Sequence, residues 1–187
     1  LTRQSDCELR LKTASSRNSI SGSSMSPQNP TLDEIDRRLL FWLQRDSAMP
    51  IAELAERAGI SASPCWRRVQ RLTEQGVIRA RVALLDAHKV NVGVNVFVAV
   101  RTNQHRKEWA DYFCQCVTDM PEVVGFYRMA GQVDYLMHIV VPGIDAYDDV
   151  YKRLIAKIEL YDVSASFAME VLKSTTALPL DYAAQGS

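Results

Sequence analysis

No stretch of the 187 residues offers the run of about 20 apolar side chains that a bilayer-spanning helix needs, so no membrane partner is expected. Net charge is also missing. The 22 basic residues meet 22 acidic ones, which excludes a global basic field and leaves any attraction for a polyanion to a local patch. Cysteine is scarce and unpatterned: Cys7, Cys65, Cys114 and Cys116 lack the paired CxxC spacing of a zinc site and make no disulfide framework. Cys114 and Cys116 point about 200° apart on one helix, which excludes a joint ligand role. His88, His105 and His138 are far apart in sequence and read as surface or edge residues. With no nucleophile motif, phosphate loop or metal spacing, no catalytic residue, metal or cofactor is expected. A reduced, cytoplasmic chain is the simple account.

What is present has an ordinary globular composition, 47% hydrophobic and 24% charged, in an uneven distribution. Segment charges are +2 for 1–30, +1 for 31–80 and −3 for 81–187, so a basic region is hidden beside an acidic remainder. Between Ser61 and Arg81 five arginines face one acid, Glu74. The same region reads as two short helices. The first runs from about Pro50 to Ala58, with Ile51, Leu54, Ala55 and Ala58 inward, and Gly59 ends it in a left-handed conformation. Ser61 is placed to cap the second, which buries Cys65, Val69 and Leu72. Its outward face carries Trp66, Arg67, Arg68, Gln70 and Arg71. Three arginines at i,i+3 and i,i+4 spacing repel one another. A polyanion explains them, and a helix-turn-helix with its second helix in the major groove is the geometry that uses them. The plain alternative is a three-helix domain with a solvated basic face.

Residues 1–30, with eight serines and no periodicity, read as a disordered leader or a start-site remnant and are set outside the fold. Thr31 and Glu34 form a capping-box pattern, opening a third helix with Leu32, Ile35, Leu39, Leu40 and Leu43 inward. The helix-turn-helix module is thus 31–80, and 81–91 is a connecting strand and hinge. The period then changes. Alternation over Val92–Arg101 predicts a strand, and the stripe of Trp109, Tyr112, Phe113, Cys116, Val117 and Met120 predicts a helix. A hairpin over 123–141 turns at Gly131-Gln132. A helix follows with Ile144, Tyr147, Tyr151, Leu154, Ile155 and Ile158 inward, and a last strand covers Val163–Leu172. The β-α-β-β-α-β order over 92–180 is ferredoxin-like, making the chain an α+β protein with a short tail at 181–187. Both faces of its strands are apolar, which predicts dimerisation through the sheet.

Leu32-Asp-x-Ile-Asp36, Ser63-Pro-Cys-Trp-Arg-Arg68, Gly76-Val-Ile78, Ala83-Leu-Leu-Asp86, Gly131-x-x-Asp-Tyr135 and Ser166-Phe-Ala-Met-Glu170 together resemble the Lrp/AsnC (leucine-responsive/asparagine) family of transcription regulators. The match runs in order through 31–180. Met120-Pro-Glu-Val123, Arg128-Met-Ala-Gly131 and Asp134-Tyr-Leu-Met137 are similar to its cysteine-responsive branch, with a branched-chain amino-acid branch next.

The resemblance implies a winged helix-turn-helix whose dimer reads two half-sites of a pseudo-palindrome in double-stranded DNA. Base-edge contact falls to Ser63, Trp66 and Arg67, and phosphate contact to Arg68, Arg71 and Arg79, with Ser61 and Gln70 on the same surface. For Trp66, packing against the neighbouring helix is an equal alternative. The resemblance also implies a free amino acid bound between dimers that assemble to tetramers or octamers. Gly131, Gln132, Val133, Asp134 and Tyr135 would hold its charged ends, and Ile144, Ser166, Phe167 and Ala168 would surround its side chain. A glycine turn can present N–H groups to a carboxylate, and Asp134 can accept from an ammonium. The plain reading of Gly131–Tyr135 is a hairpin turn with Asp134 bonded locally. The chain departs from the family at Gln132, usually an acid, and at Ala87, usually proline. Two rivals share the architecture: a haem-pathway decarboxylase, and an amino-acid-binding assembly with a vestigial DNA module.

Overall fold

The computed structural model describes residues 30–104 and 106–183; the expected leader, apart from Pro30, lies outside them, as do Cys7 and His105. The chain divides into two units. One holds the helices up to Arg79 together with the residues from Ala177 onward, and the other is Ala80–Thr176.

The first unit has three helices: α1 (Glu34–Leu43), α2 (Ile51–Ala58) and α3 (Ala62–Glu74). The N-cap of α1 is Asp33, not Thr31, and the reciprocal box closes through Asp36, not Glu34. The Asp36 N–H donates to Asp33 at 2.8 Å, and the Asp33 N–H to Asp36 at 3.3 Å. Starting the helix at Glu34 leaves Leu32 outside it, free to pack with Leu40 and Leu72. Pro50 is the N-cap of α2, and Gly59 ends that helix at φ 73°. Ser61 takes the extended cap conformation before α3 but makes no side-chain capping bond. Cys65 and Val69 from α3 meet Leu39, Leu54, Ala55 and Ala58 in the shared core, and Leu72 joins Leu32 and Leu40. Burial pushes the Cys65 thiol pKa up, as expected of a packing residue rather than a reactive one.

Residues from Leu178 to Ala183 pack on these helices. Leu180 and Ala183 lie against the Leu32–Leu40–Leu72 cluster. The Gln44 amide makes both bonds of a backbone-like pair with Leu178, accepting from its N–H at 2.6 Å and donating to its carbonyl at 3.3 Å.

The second unit holds β1 (Val94–Arg101), α4 (Lys107–Thr118), β2 (Val123–Arg128), β3 (Tyr135–Val141), α5 (Ile144–Ile155) and β4 (Asp162–Phe167). The four strands form one antiparallel sheet in the order β2-β3-β1-β4, the ferredoxin-like arrangement expected. Val96, Val98 and Val100 stand opposite Ile139, Met137 and Tyr135 and face the two helices. Phe113 is fully buried against them, edge-on to Phe126 and Tyr135 with centroids 5.5 and 5.0 Å away. Such pairs add about 0.5–1.5 kcal/mol each beyond their buried area. On α5 the inward row is Val150, Leu154 and, past its end, Ile158, with Tyr147 packed alongside. Ile144 and Ile155, expected inward, are exposed: Ile155 falls one position past Leu154, and Ile144 is the first residue of the helix, before the row begins at Tyr147.

Two expected strands are missing or short. Residues 80–86 have no regular structure and 87–91 form a turn, so the connecting strand at 82–90 is absent. Val82, Leu84 and Leu85 are exposed, and no described strand lies beside them to complete a ladder. β4 stops at Phe167 instead of Leu172. Its partner β1 begins at Val94, and the Ala168 N–H makes the last bond, to the Asn95 carbonyl at 2.9 Å. Met169 beyond it is 99% exposed.

Candidate DNA-reading helix and amino-acid site

Along α3 every third or fourth side chain is spent on the core, and what remains decides its outer chemistry. Ser61, Ser63, Trp66, Arg67, Gln70 and Arg71 are exposed, as is Arg79 beyond the helix. Trp66 is 53% exposed, so it is not consumed by packing against the neighbouring helix. The three arginines are not equivalent. Arg68 Nη1 donates to Asp33 at 2.6 Å and to Asp36 at 2.9 Å, and Arg71 Nη2 donates to Asp36 at 2.5 Å. Asp36 is a buried charge, 1% exposed, and a buried carboxylate is stable only when paired in this way. Burial tends to raise the pKa of Asp33, but the Asp36 N–H and the Arg68 guanidinium outweigh it and hold that carboxyl below its ordinary range.

These ion pairs revise the argument from repulsion. Two of the three helix arginines have intramolecular acids, and the expected phosphate contact at Arg68 meets a guanidinium already held by two carboxylates. Asp33 and Asp36 stand at the start of α1, where acids suit the helix dipole, and nothing local marks them as partners of α3. A signal existed, since Asp33 and Asp36 are three apart, and so are Arg68 and Arg71. Matching i,i+3 pairs of opposite sign can face each other across packed helices.

The nine expected effector residues fall into two groups. Gly131, at φ 130°, and Gln132 are exposed at the β2–β3 turn, with Val133, Asp134 and Tyr135 leading into β3. Ile144, 69% exposed, opens α5 just after the other end of β3. Ser166 and Phe167 lie on β4 opposite Phe97 and Val96, and Ala168 follows. Ile144 thus lies about 20 Å from Tyr135, beyond the seven residues of β3. Ser166 and Phe167 lie two strands away from β3, three and four residue rows along the sheet from Tyr135. One chain does not bring them together. Asp134 is also engaged within the chain, though not by a local side-chain bond: its Oδ2 accepts from the Thr102 N–H at 2.8 Å and its own N–H donates to the Val100 carbonyl at 3.0 Å, tying the turn to the end of β1. Within the hairpin itself it is the Asp134 carbonyl that accepts, from the Met129 N–H at 2.8 Å. Phe167 packs edge-on to Tyr147 with centroids 5.3 Å apart, and the Tyr135 ring is buried in the helix-facing core. Among the described residues no group of three or more His, Cys, Asp or Glu could hold a metal ion.

Residues 32–79 match the model of the winged helix-turn-helix DNA-binding family, and 95–178 that of the Lrp/AsnC ligand-binding domain. The chain belongs to the Lrp/AsnC family of transcription regulators. It is 48% identical over 149 residues to a glutamate uptake regulatory protein of Zymomonas mobilis, covering 80% of this chain and 91% of that one. It is 46% identical over 151 residues to the DNA-binding transcriptional activator DecR of Escherichia coli, 80% and 99% of the two chains. An AsnC family regulator from Agrobacterium tumefaciens superposes with a TM-score of 0.79 at 58% identity, 81% and 99% covered. A Neisseria meningitidis regulator in complex with L-Met gives 0.77 at 33% identity, with the same coverage.

As an Lrp/AsnC member the chain is a DNA-binding transcription regulator with an amino-acid-binding domain, and not an enzyme. The decarboxylase alternative is set aside, because these relatives are named as regulators.

Proposed function

We propose that the protein binds a pseudo-palindromic site as a dimer, and that a small free amino acid changes its assembly and hence its grip on DNA. The observation that carries this is the division of the effector residues. A ligand held by both Gly131–Tyr135 and the Ile144, Ser166–Ala168 group must sit between two copies. Binding then biases association by its differential affinity for the assembled state. The open sheet face supports a dimer: Phe97, Tyr127 and Val124 are exposed there. Dimers joining through the ligand would give tetramers or octamers. Cysteine is favoured as effector on the segments from Met120 to Met137, with a branched-chain amino acid next. An L-Met complex in a structural neighbour supports a small apolar or sulfur-bearing side chain. Base edges go to Ser63, Trp66 and Arg67, phosphates to Arg71 and Arg79, and Ser61 and Gln70 flank them on the same exposed surface. The cytoplasm is the compartment where such a chain meets DNA, and no described helix is long and apolar enough to cross a membrane.

The test is a footprint on DNA upstream of the protein's own gene and its neighbours, at fixed salt, titrated with L-cysteine, leucine, methionine, alanine and glutamate. A protected palindrome that changes with cysteine is the expected result. A response to another amino acid replaces the effector assignment, and no response to any of them ends the amino-acid coupling while keeping the regulator.

A further inference from the structure

We propose that Asp36 is a positioning residue for DNA recognition: it sorts the three arginines of α3 into one free, one braced and one withdrawn. The inference rests on α3 being the DNA-facing helix. Arg67 is exposed and has no acidic partner among the described residues. Arg71 is braced. Its side chain is 45% exposed, and the ion pair to Asp36 uses Nη2, one part of a guanidinium with five N–H donors. The remaining donors can serve a phosphate, from a position that the carboxylate behind it has already fixed. A side chain ordered before binding loses less entropy when it docks. Arg68 is withdrawn. Its side chain is 26% exposed, and one Nη1 serves Asp33 and Asp36 together.

The arrangement has a second consequence. Two carboxylates behind the helix cancel part of its positive field, which lowers attraction to any duplex regardless of sequence. Contacts made by Ser63, Trp66 and Arg67 to base edges keep their value. Asp36 therefore trades general affinity for preference between sites. A carboxylate that merely stabilised the packing of α1 on α3 would affect folding and leave the charge response of DNA binding alone.

The experiment measures equilibrium binding of the full chain to a random-sequence duplex and to the footprinted site, between about 50 and 200 mM salt. Arg71→Ala is expected to reduce the slope of log K against log salt by about one, and Arg67→Ala to cut the preference for the footprinted site about tenfold or more. Arg68→Ala should leave that slope unchanged. Asp36→Asn should steepen the slope on random duplex and cut the preference for the footprinted site about tenfold. An Arg68→Ala slope reduced by about one, or an Asp36→Asn slope that stays or falls, overturns the proposal. Arg68→Gln and Asp33→Asn, which removes the second carboxylate on Arg68 while keeping a capping side chain, are measured beside them with a thermal melt. Where Asp36→Asn unfolds, Asp33→Asn is expected to steepen the slope in its place. If Arg71→Ala leaves the slope unchanged and Arg67→Ala leaves the site preference unchanged, α3 does not face DNA and the underlying reading fails first, a result distinct from the failure of the sorting alone.

Discussion

His138 shows how a residue's meaning depends on its neighbours. By sequence it is one of three scattered histidines with no motif around it. In the sheet it stands beside Phe97, its ring stacked on that phenyl at 4.7 Å, and its Nε2 shares a 2.7 Å hydrogen bond with Asn95 Oδ1. Burial holds its pKa below the ordinary histidine value. The unfolded chain then takes up the proton at a higher pH than the folded chain. Its contribution to stability is full above about 6.5 and is lost as pH falls through that value toward the lower folded pKa. The thermal midpoint should be lower at pH 5.5 than at 7.5, and His138→Gln should narrow that difference. An unchanged difference in the variant would place the titration elsewhere.

The helix-turn-helix element depends on a few backbone positions more than on propensity. Gly59 closes α2 at φ 73°, and a Cβ there would meet only Arg38 Nη1, at an ordinary 3.5 Å. The cost of Gly59→Ala is therefore conformational, about 1–2 kcal/mol, with no clash added. Chemical denaturation should show a lower midpoint at unchanged m-value, since the exposed surface is the same. A neutral result would mean that the turn relaxes to negative φ. The capping correction belongs to the same scale. Thr31 and Glu34 satisfy the capping-box pattern, but Asp33 and Asp36 satisfy it while also pairing with α3. A local rule met twice was decided by the charges that came to lie opposite.

At the scale of the molecule, two features join parts distant in sequence. Gln44 and Leu178 are 134 residues apart, yet make two hydrogen bonds that tie the segment at Leu178 to the helices. Gln44→Ala should lower the stability of the DNA-binding unit by about 0.5–1.5 kcal/mol, little more than one solvent-accessible bond. Deleting the residues from Ala177 onward should cost more, because it also uncovers Leu32, Leu40 and Leu72. Thermal melts of both variants check the order; equal losses would confine the effect to the amide. The second feature is the outer face of the sheet. Phe97 is 41% exposed there, and Phe97→Asp places a charge where the proposed dimer buries apolar surface. Sedimentation velocity should then show a folded monomer, whereas an intact dimer would move the interface elsewhere.

The periodicities of 3.6 and 2 located every helix and strand of the described residues and most of the side chains that entered the cores. Tyr112, Ile144 and Ile155, expected inward, stayed exposed. Cys65, Val69 and Leu72, and Val96, Val98 and Val100, were legible because burial repeats along one element. The β-α-β-β-α-β order followed from the same alternation, and motif resemblance carried the family. Tertiary structure decided everything that depends on two elements meeting. It set the pairing of Arg68 and Arg71 with Asp36, the end of β4 at Phe167 near the first residues of β1, and the return of Leu178, Leu180 and Ala183 to the first helices. It also separated the effector residues between the β2–β3 turn and positions two strands away on β4 or beyond the far end of β3. The physical reason is common to all four. Periodicity records how a segment meets solvent or core, while charge pairing, ladder length and site assembly depend on which segment lies opposite.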